Sequence, residues 1–181
     1  MKIFTIGHSN LELDALLESL NEHGVHWVAD VRSAPYSRRF PQFNRSMLAT
    51  ALKAAGIRYV FLGDKIGGKP PEGDNPDAWT QGKLNPLLVS GLSRTPRWAE
   101  GMATLKLAIE TLDCEGAAGC ILCSEGDASN CHRSLIAFEL EQTIPGLLVE
   151  HIWSGGSTHR EAHFQKALFP GSSPNDRNLD H

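Results

Sequence analysis

The spacing of apolar residues switches repeatedly between two periods along this chain. Lys2 to Gly7 is a short β-rich run, which predicts a first strand. Between Glu12 and Glu22, residues Leu13, Leu16, Leu17 and Leu20 recur at helical spacing, and Gly24 predicts where that helix stops. Val25 to Val31 reads as a second strand. Asn44 has the character of an N-cap, followed by a stripe of Met47, Leu48, Ala51 and Leu52 that ends at Gly56. Ile57 to Leu62 predicts a third strand. Arg97 to Leu112 is helical again, with Met102, Leu105, Ile109 and Leu112 on one face. Gly119 to Cys123 is a short apolar run that reads as a buried strand. A polar turn and an amphipathic helix over Cys131 to Gln142 follow, with Ser129 or Asn130 as its cap. Gly146 to Ile152 predicts a further strand and Thr158 to Leu168 a final helix.

Two stretches break the pattern. Gly63 to Thr95 is rich in Gly, Pro, Asp and Asn and has no sustained period. A loop of that length inside a compact domain predicts a functional lid or an insertion. Pro170 to His181 is polar and reads as a frayed tail. Alternating strands and helices predict one α/β domain over residues 1–169. The expected fold class is a three-layer sandwich around a mainly parallel sheet of about five strands. Ligands in such folds sit beyond the carboxyl ends of the strands. That rule gathers His8 and Ser9, Asp30 and Arg32, Asp64 and Lys65, and Cys123 and Glu125 at one rim.

Composition narrows the classes. A chain of 181 residues can bury a sizeable core as one domain. No apolar run approaches the ~20 residues of a membrane span, and the apolar N-terminus is too short for a signal peptide. The expectation is a cytoplasmic protein without a membrane partner. Four cysteines do not suggest a disulfide framework. The Cys120-Ile-Leu-Cys123 spacing invites a redox or zinc reading, but residues three apart on a strand point to opposite faces. A net charge of −4 argues against tight non-specific binding of nucleic acid. Yet Val31 to Gly63 holds Arg32, Arg38, Arg39, Arg45, Lys53 and Arg58 and no acid. That segment is either a solvated basic face or an attractor of anions.

Residues 119–133 carry the densest chemistry. A strand entering a helix through a turn leaves unpaired N–H groups and the positive end of a helix dipole at one spot, where anions bind. Cys131, His132 and Arg133 fall in the predicted first turn, with Cys123 and Glu125 on the approach. Arg32 and Arg133 offer planar forks for phosphate or carboxylate, or braces for Asp30 and Glu125. His132 and His8 could transfer a proton, or serve as a capping and a packing histidine. Cys123 is a nucleophile or a core thiol. Cys131 falls on the apolar stripe with Leu135 and Phe138 and reads as buried. A Cys-based phosphate loop needs Arg six residues after the nucleophile. Here Ser129 stands there, and Arg133 lies ten after Cys123. A sulfurtransferase loop fails on the same span. Metal ligation by His8, Cys123, Cys131 and His132 has suitable atoms. It lacks paired spacing, and adjacent Cys131 and His132 would diverge on a helix, so no metal is assigned. No Walker loop or G-x-G-x-x-G is present, and no cofactor is assigned.

Thr5 to Ser9 (T-I-G-H-S), Asp30 to Ser37 (D-V-R-S-A-P-Y-S), Phe43 to Arg45 (F-N-R), Gly56 to Tyr59 (G-I-R-Y), Gly67-Gly68, Leu122 to Glu125 (L-C-S-E) and Cys131 to Arg133 (C-H-R) form an ordered set. In that order the chain resembles the domain-of-unknown-function 488 family. It departs at Gly63 to Ile66, where the family pattern leads us to expect leucine directly before the paired glycines. The resemblance implies a compact α/β domain. It also implies a pocket of His8, Asp30, Arg32, Ser37, Cys123, Glu125, His132 and Arg133, and supplies no reaction. The functional expectation is a hydrolase or group transferase for a small anionic, phosphorylated or nucleotide-like substrate. Arg32, Ser37, Arg133 and the N–H groups at Cys131 would hold the anion, while His8, Asp30, Cys123, Glu125 and His132 would form the catalytic set. The alternative is a non-catalytic ligand-sensing or nucleic-acid-associated accessory protein using the same pocket.

Overall fold

A computed structural model describes residues 1–68, 79–80, 83–84, 95–114, 116–153 and 157–159 of the chain. The β-rich runs become β1 (Lys2–Gly7), β2 (Val25–Asp30) and β3 (Arg58–Phe61). A short antiparallel pair, β4 (Trp79–Thr80) and β5 (Lys83–Leu84), stands apart from the main sheet. β6 (Ala118–Cys123), β7 (Leu148–Ile152) and β8 (Thr158–His159) complete the strands. The helices are α1 (Leu13–Glu22), α2 (Arg45–Ala54), α3 (Gly63–Ile66), α4 (Pro96–Cys114) and α5 (Arg133–Thr143).

The main sheet has the order β3-β2-β6-β1-β7-β8. Its first five strands pair in parallel, and β8 adds an antiparallel edge on β7. Successive strand residues face opposite sides, so each strand feeds two cores. On one face Ile3, Trp27, Ala29, Val31, Ile121 and Cys123 pack with Leu105 and Ile109 of α4 and Leu135, Ile136 and Leu140 of α5. On the other, Phe4, Ile6, Val28, Cys120 and Leu122 pack with Leu16 and Leu20 of α1 and Leu48 and Leu52 of α2. Helices on both faces of a mostly parallel sheet make the three-layer α/β sandwich expected from the pattern. Cys120 and Cys123 enter different cores, as strand alternation requires.

Parallel pairing brings the carboxyl ends together. Gly7 lies opposite Cys123, and Asp30 lies opposite both Leu122 and Phe61. No helix among the described residues is long and apolar enough to cross a membrane.

Local structure departs from the sequence expectation in several places. The helix expected from Cys131 begins two residues later, at Arg133. The reason is Asp127. Its carboxylate accepts from the Ser129 N–H at 2.9 Å, the Ser129 hydroxyl at 2.7 Å and the Asn130 amide at 2.7 Å. Those bonds hold Ala128–Asn130 in a separate 3-10 turn. Ser129 and Asn130 are thus donors to Asp127, not caps of α5. Asn44 does occupy the N-cap position of α2, but its side-chain oxygen accepts the Ser37 N–H at 2.6 Å instead of capping. The segment expected to be a loop from Gly63 opens with the helical turn α3. Most of the lid and the whole tail lie outside the described residues. Thr158–His159 is strand, not the start of a helix, because it pairs with β7; the rest of that expected helix also lies outside the described residues.

Candidate functional site

Backbone hydrogen bonds continue past the strand ends and hold the rim rigid. His8 N–H donates to the Cys123 carbonyl at 3.0 Å, and Val31 N–H to the Leu122 carbonyl at 3.0 Å. Leu62 N–H donates to the Asp30 carbonyl at 2.9 Å. Above this frame the polar side chains fall into two groups, one on each face of the sheet.

The first group surrounds Asp30 on the α1–α2 side. Asp30 is fully buried, and burying a charge is costly unless it is paired and hydrogen-bonded. Arg32 meets it bidentately: Nε donates to Oδ1 at 2.8 Å and Nη2 to Oδ2 at 2.6 Å. The Arg32 backbone N–H adds a bond to Oδ1 at 3.1 Å and the Tyr59 hydroxyl one to Oδ2 at 2.7 Å. Arg32 Nη1 donates to the Phe43 carbonyl at 2.8 Å and to His8 Nε2 at 3.2 Å. His8 Nδ1 is 3.1 Å from the Ser9 carbonyl, which can only accept, so Nδ1 carries the proton and Nε2 is the acceptor. The ring stacks on Phe43 at 4.3 Å. Burial, then the adjacent Arg32 charge, lowers the His8 pKa to about 4. The Tyr59 pKa is pushed up by burial and by the Asp30 charge.

The second group lies on the α4–α5 side. Cys123 at the end of β6, Cys131 and His132 place their two sulfurs and a ring nitrogen within 4.8 Å of one another, all buried. His132 Nε2 donates to the Val31 carbonyl at 3.0 Å. In the neutral ring this leaves the Nδ1 lone pair facing the sulfurs, at 3.9 Å from Cys123 Sγ and 3.8 Å from Cys131 Sγ. Cys131 and His132 would diverge, as the sequence leads one to expect, only if both were helical. Cys131 is extended (φ −133°, ψ 142°) and His132 is the N-cap of α5, so the two side chains converge. A hydrogen bond from the Cys131 thiol holds the Cys123 pKa below the usual thiol range against the cost of burial, and His132 and Arg133 act in the same direction. Burial and the Cys123 sulfur push the Cys131 pKa up. The two thiols therefore form a coupled pair in which Cys123 is the more acidic partner.

Arg133 is 1% exposed and supports the rim from within. Its Nη1 donates to the Glu125 carbonyl and its Nη2 to the Gly126 carbonyl at 2.8 Å. Its buried Nε–H has no partner among the described residues. Gly7 makes this possible, because a Cβ there would overlap the Glu125 carbonyl and lie 2.6 Å from Arg133 Nη1. The Glu125 side chain is exposed, so the residue enters the rim through its backbone. Ser37 shapes the loop after β2: its hydroxyl accepts the Phe40 N–H at 3.0 Å. The structure thus brings together His8, Asp30 and Arg32, and separately Cys123, Cys131 and His132. It gives Arg32 and Arg133 internal partners and leaves Arg38, Arg39 and Arg45 exposed.

Tyr59, Phe43, the Val31 carbonyl and Gly68 were missed as site components. Phe43, Tyr59 and Gly68 stand inside the quoted motifs, which was the available signal. Gly68 lies against His132, where a Cβ would be 2.6 Å from Nδ1 and 2.7 Å from Cγ. Two coupled cysteine sulfurs and an imidazole at a strand end can support nucleophilic attack, proton transfer or ligation of a soft cation.

The family model described as Domain of unknown function DUF488 matches residues 12–140. No match was found among curated proteins or among solved structures.

Proposed function

This chain belongs to the DUF488 family, and we propose that it is a hydrolase or group transferase for a small anionic substrate, with Cys123 as its nucleophile. One observation carries the reading: Cys123 Sγ, Cys131 Sγ and His132 Nδ1 converge at the carboxyl end of a central strand. Ligands of open parallel sheets bind beyond that end. In the reaction the Cys123 thiolate forms a bond to the electrophilic centre of the substrate, and the leaving group departs with the proton held by Cys131. A water or second substrate then breaks the thio-linked intermediate, giving its proton to His132 Nδ1, which returns it to Cys131 Sγ 3.8 Å away, so that the Cys123 thiolate, the Cys131 thiol and the neutral imidazole are all restored. The buried Arg133, whose Nε–H has no partner among the described residues, supplies positive potential behind the site, and the exposed Arg38 and Arg39 attract the anion to the rim. Asp30, Arg32, His8 and Tyr59 position the loop after β2 and do not touch the reacting atoms. Cys123 is 3% exposed, so substrate entry requires the chain around it to move. Free thiols at all four cysteines suit a reducing compartment, and we place the protein in the cytoplasm.

The test is a turnover screen of chelator-treated, reduced protein against phosphate esters and nucleotides, with iodoacetamide as the probe of Cys123. Cys123 is expected to be alkylated before buried Cys120, and turnover is expected to vanish with it. Undiminished turnover by Cys123→Ser overturns the reading. The exposed Arg38, Arg39 and Arg45 favour one alternative, a non-catalytic anion-binding module, which retains nucleotide but shows no turnover in the same screen.

A further inference from the structure

We infer that Cys123, Cys131 and His132 form a binding site for a thiophilic divalent cation of the zinc class. The inference takes over the placement of the functional centre proposed above, but it does not require catalysis.

Geometry is the first support. A tetrahedral ion with metal–sulfur bonds near ~2.3 Å and metal–nitrogen bonds of ~2.0–2.1 Å separates its ligand atoms by roughly 3.5–3.8 Å. The nitrogen–sulfur separations here are 3.9 Å and 3.8 Å, and all three atoms lie within 4.8 Å of one another. Closing the site around an ion therefore needs shifts of a few tenths of an ångström at the nitrogen and of at most about 1 Å between the sulfurs. The second support is the histidine. A metal-ligating imidazole characteristically donates its other N–H to a carbonyl or carboxylate, which fixes the tautomer that ligates. His132 donates Nε2–H to the Val31 carbonyl at 3.0 Å, so its ligating lone pair is already aimed at the sulfurs.

Backbone placement makes the donors rigid. Cys123 ends a central strand, and the extended Cys131 and the N-cap His132 are held by the turn that Asp127 closes. Charge is the remaining argument. A divalent cation with two thiolates and a neutral imidazole has no net charge, which removes the main cost of placing an ion among buried residues. Two sulfurs and an imidazole select zinc or cobalt over magnesium or calcium. Three protein ligands leave the fourth tetrahedral position to a water or an anion. Loading requires both sulfurs as thiolates and engages the Cys123 sulfur, so the metal-bound form lacks the free nucleophile. The ion would set the fraction of protein able to react.

Cobalt titration of the reduced full chain tests this. One equivalent of Co²⁺ is expected to give thiolate-to-cobalt charge-transfer absorption and intense tetrahedral visible bands, both displaced by Zn²⁺. Cys131→Ser and His132→Gln should each weaken Co²⁺ binding at least tenfold, while Cys114→Ser at an exposed position should not. Zn²⁺ should also protect Cys123 of the unmutated chain from iodoacetamide, a readout that needs no variant to fold. Absence of the charge-transfer band in folded, reduced protein, or its persistence in Cys131→Ser, overturns the inference. So does a Cys123 alkylation rate unchanged by Zn²⁺. Cobalt binding with no turnover in the metal-free screen would sink the proposed enzyme and leave the metal site standing; turnover without cobalt binding would do the reverse.

Discussion

Replacing Asp30 by Asn decides whether Arg32 is a brace or a hand held out to a ligand. Asp30 has no solvent exposure and accepts four hydrogen bonds, two on each carboxylate oxygen: the Arg32 backbone N–H and Nε on Oδ1, Arg32 Nη2 and the Tyr59 hydroxyl on Oδ2. Asparagine offers one acceptor oxygen. Its amide group would face two donors in either orientation, and the Arg32 charge would lose its only acidic partner among the described residues. Removing one member of a buried ion pair costs about 3–5 kcal/mol. Tyr59→Phe removes a single bond to the charged acceptor and should cost less, about 1.5 kcal/mol. Replacing both members, Asp30→Asn with Arg32→Met, leaves no unpaired charge and should cost less than Asp30→Asn alone. The assay is urea unfolding followed by far-UV circular dichroism, with free energies from the linear extrapolation. A loss below about 1 kcal/mol for Asp30→Asn, or a double variant that costs the sum of the two singles, would refute the brace. Either result would return Arg32 to the list of anion ligands.

Acid should weaken the fold through two buried histidines. His8 and His151 each have a pKa lowered from 6.5 to about 4, by burial first and then by Arg32 and Arg133 respectively. The unfolded chain binds these protons more tightly, so the stabilising contribution is complete above pH 6.5 and is lost as pH falls towards 4. Each site is worth at most roughly 3 kcal/mol. The urea midpoint should drop between pH 7 and pH 5, and His151→Gln, at a ring bonded to Thr5 at 2.6 Å, should flatten that drop. A midpoint independent of pH over this range would be the contrary result. Gly68→Ala should lower stability by about 1–3 kcal/mol, as overpacking does, because its Cβ would stand 2.6 Å from His132 Nδ1. It should weaken cobalt binding as well. A Gly68→Ala protein with the parent's melting temperature and cobalt affinity would show that the close approach is not needed.

Periodicity alone determined the central strands β1, β2, β3, β6 and β7, the helices α1, α2, α4 and α5, the three-layer packing and the separation of Cys120 from Cys123, but not α3 or the edge strand β8. These follow from local physics, since which face a strand residue occupies depends on counting along the backbone. The motif residues themselves were legible too, because polar groups at the ends of apolar runs stand out. Their partners were not. Arg32 could equally have met an anion or Asp30, and only the folded sheet places Asp30, Tyr59 and the Phe43 carbonyl around it. Cys131 and His132 were expected to diverge, because the helix start was placed two residues early. One carboxylate, Asp127, set that start through its own turn. A shift of two residues on a helix rotates a side chain by roughly 200°, which is enough to turn two unrelated side chains into a converging pair. Partner choice at a buried charge and the direction of a side chain at a helix end are settled by what the rest of the fold brings within bonding distance. Neither quantity is encoded in the spacing of residues along the chain.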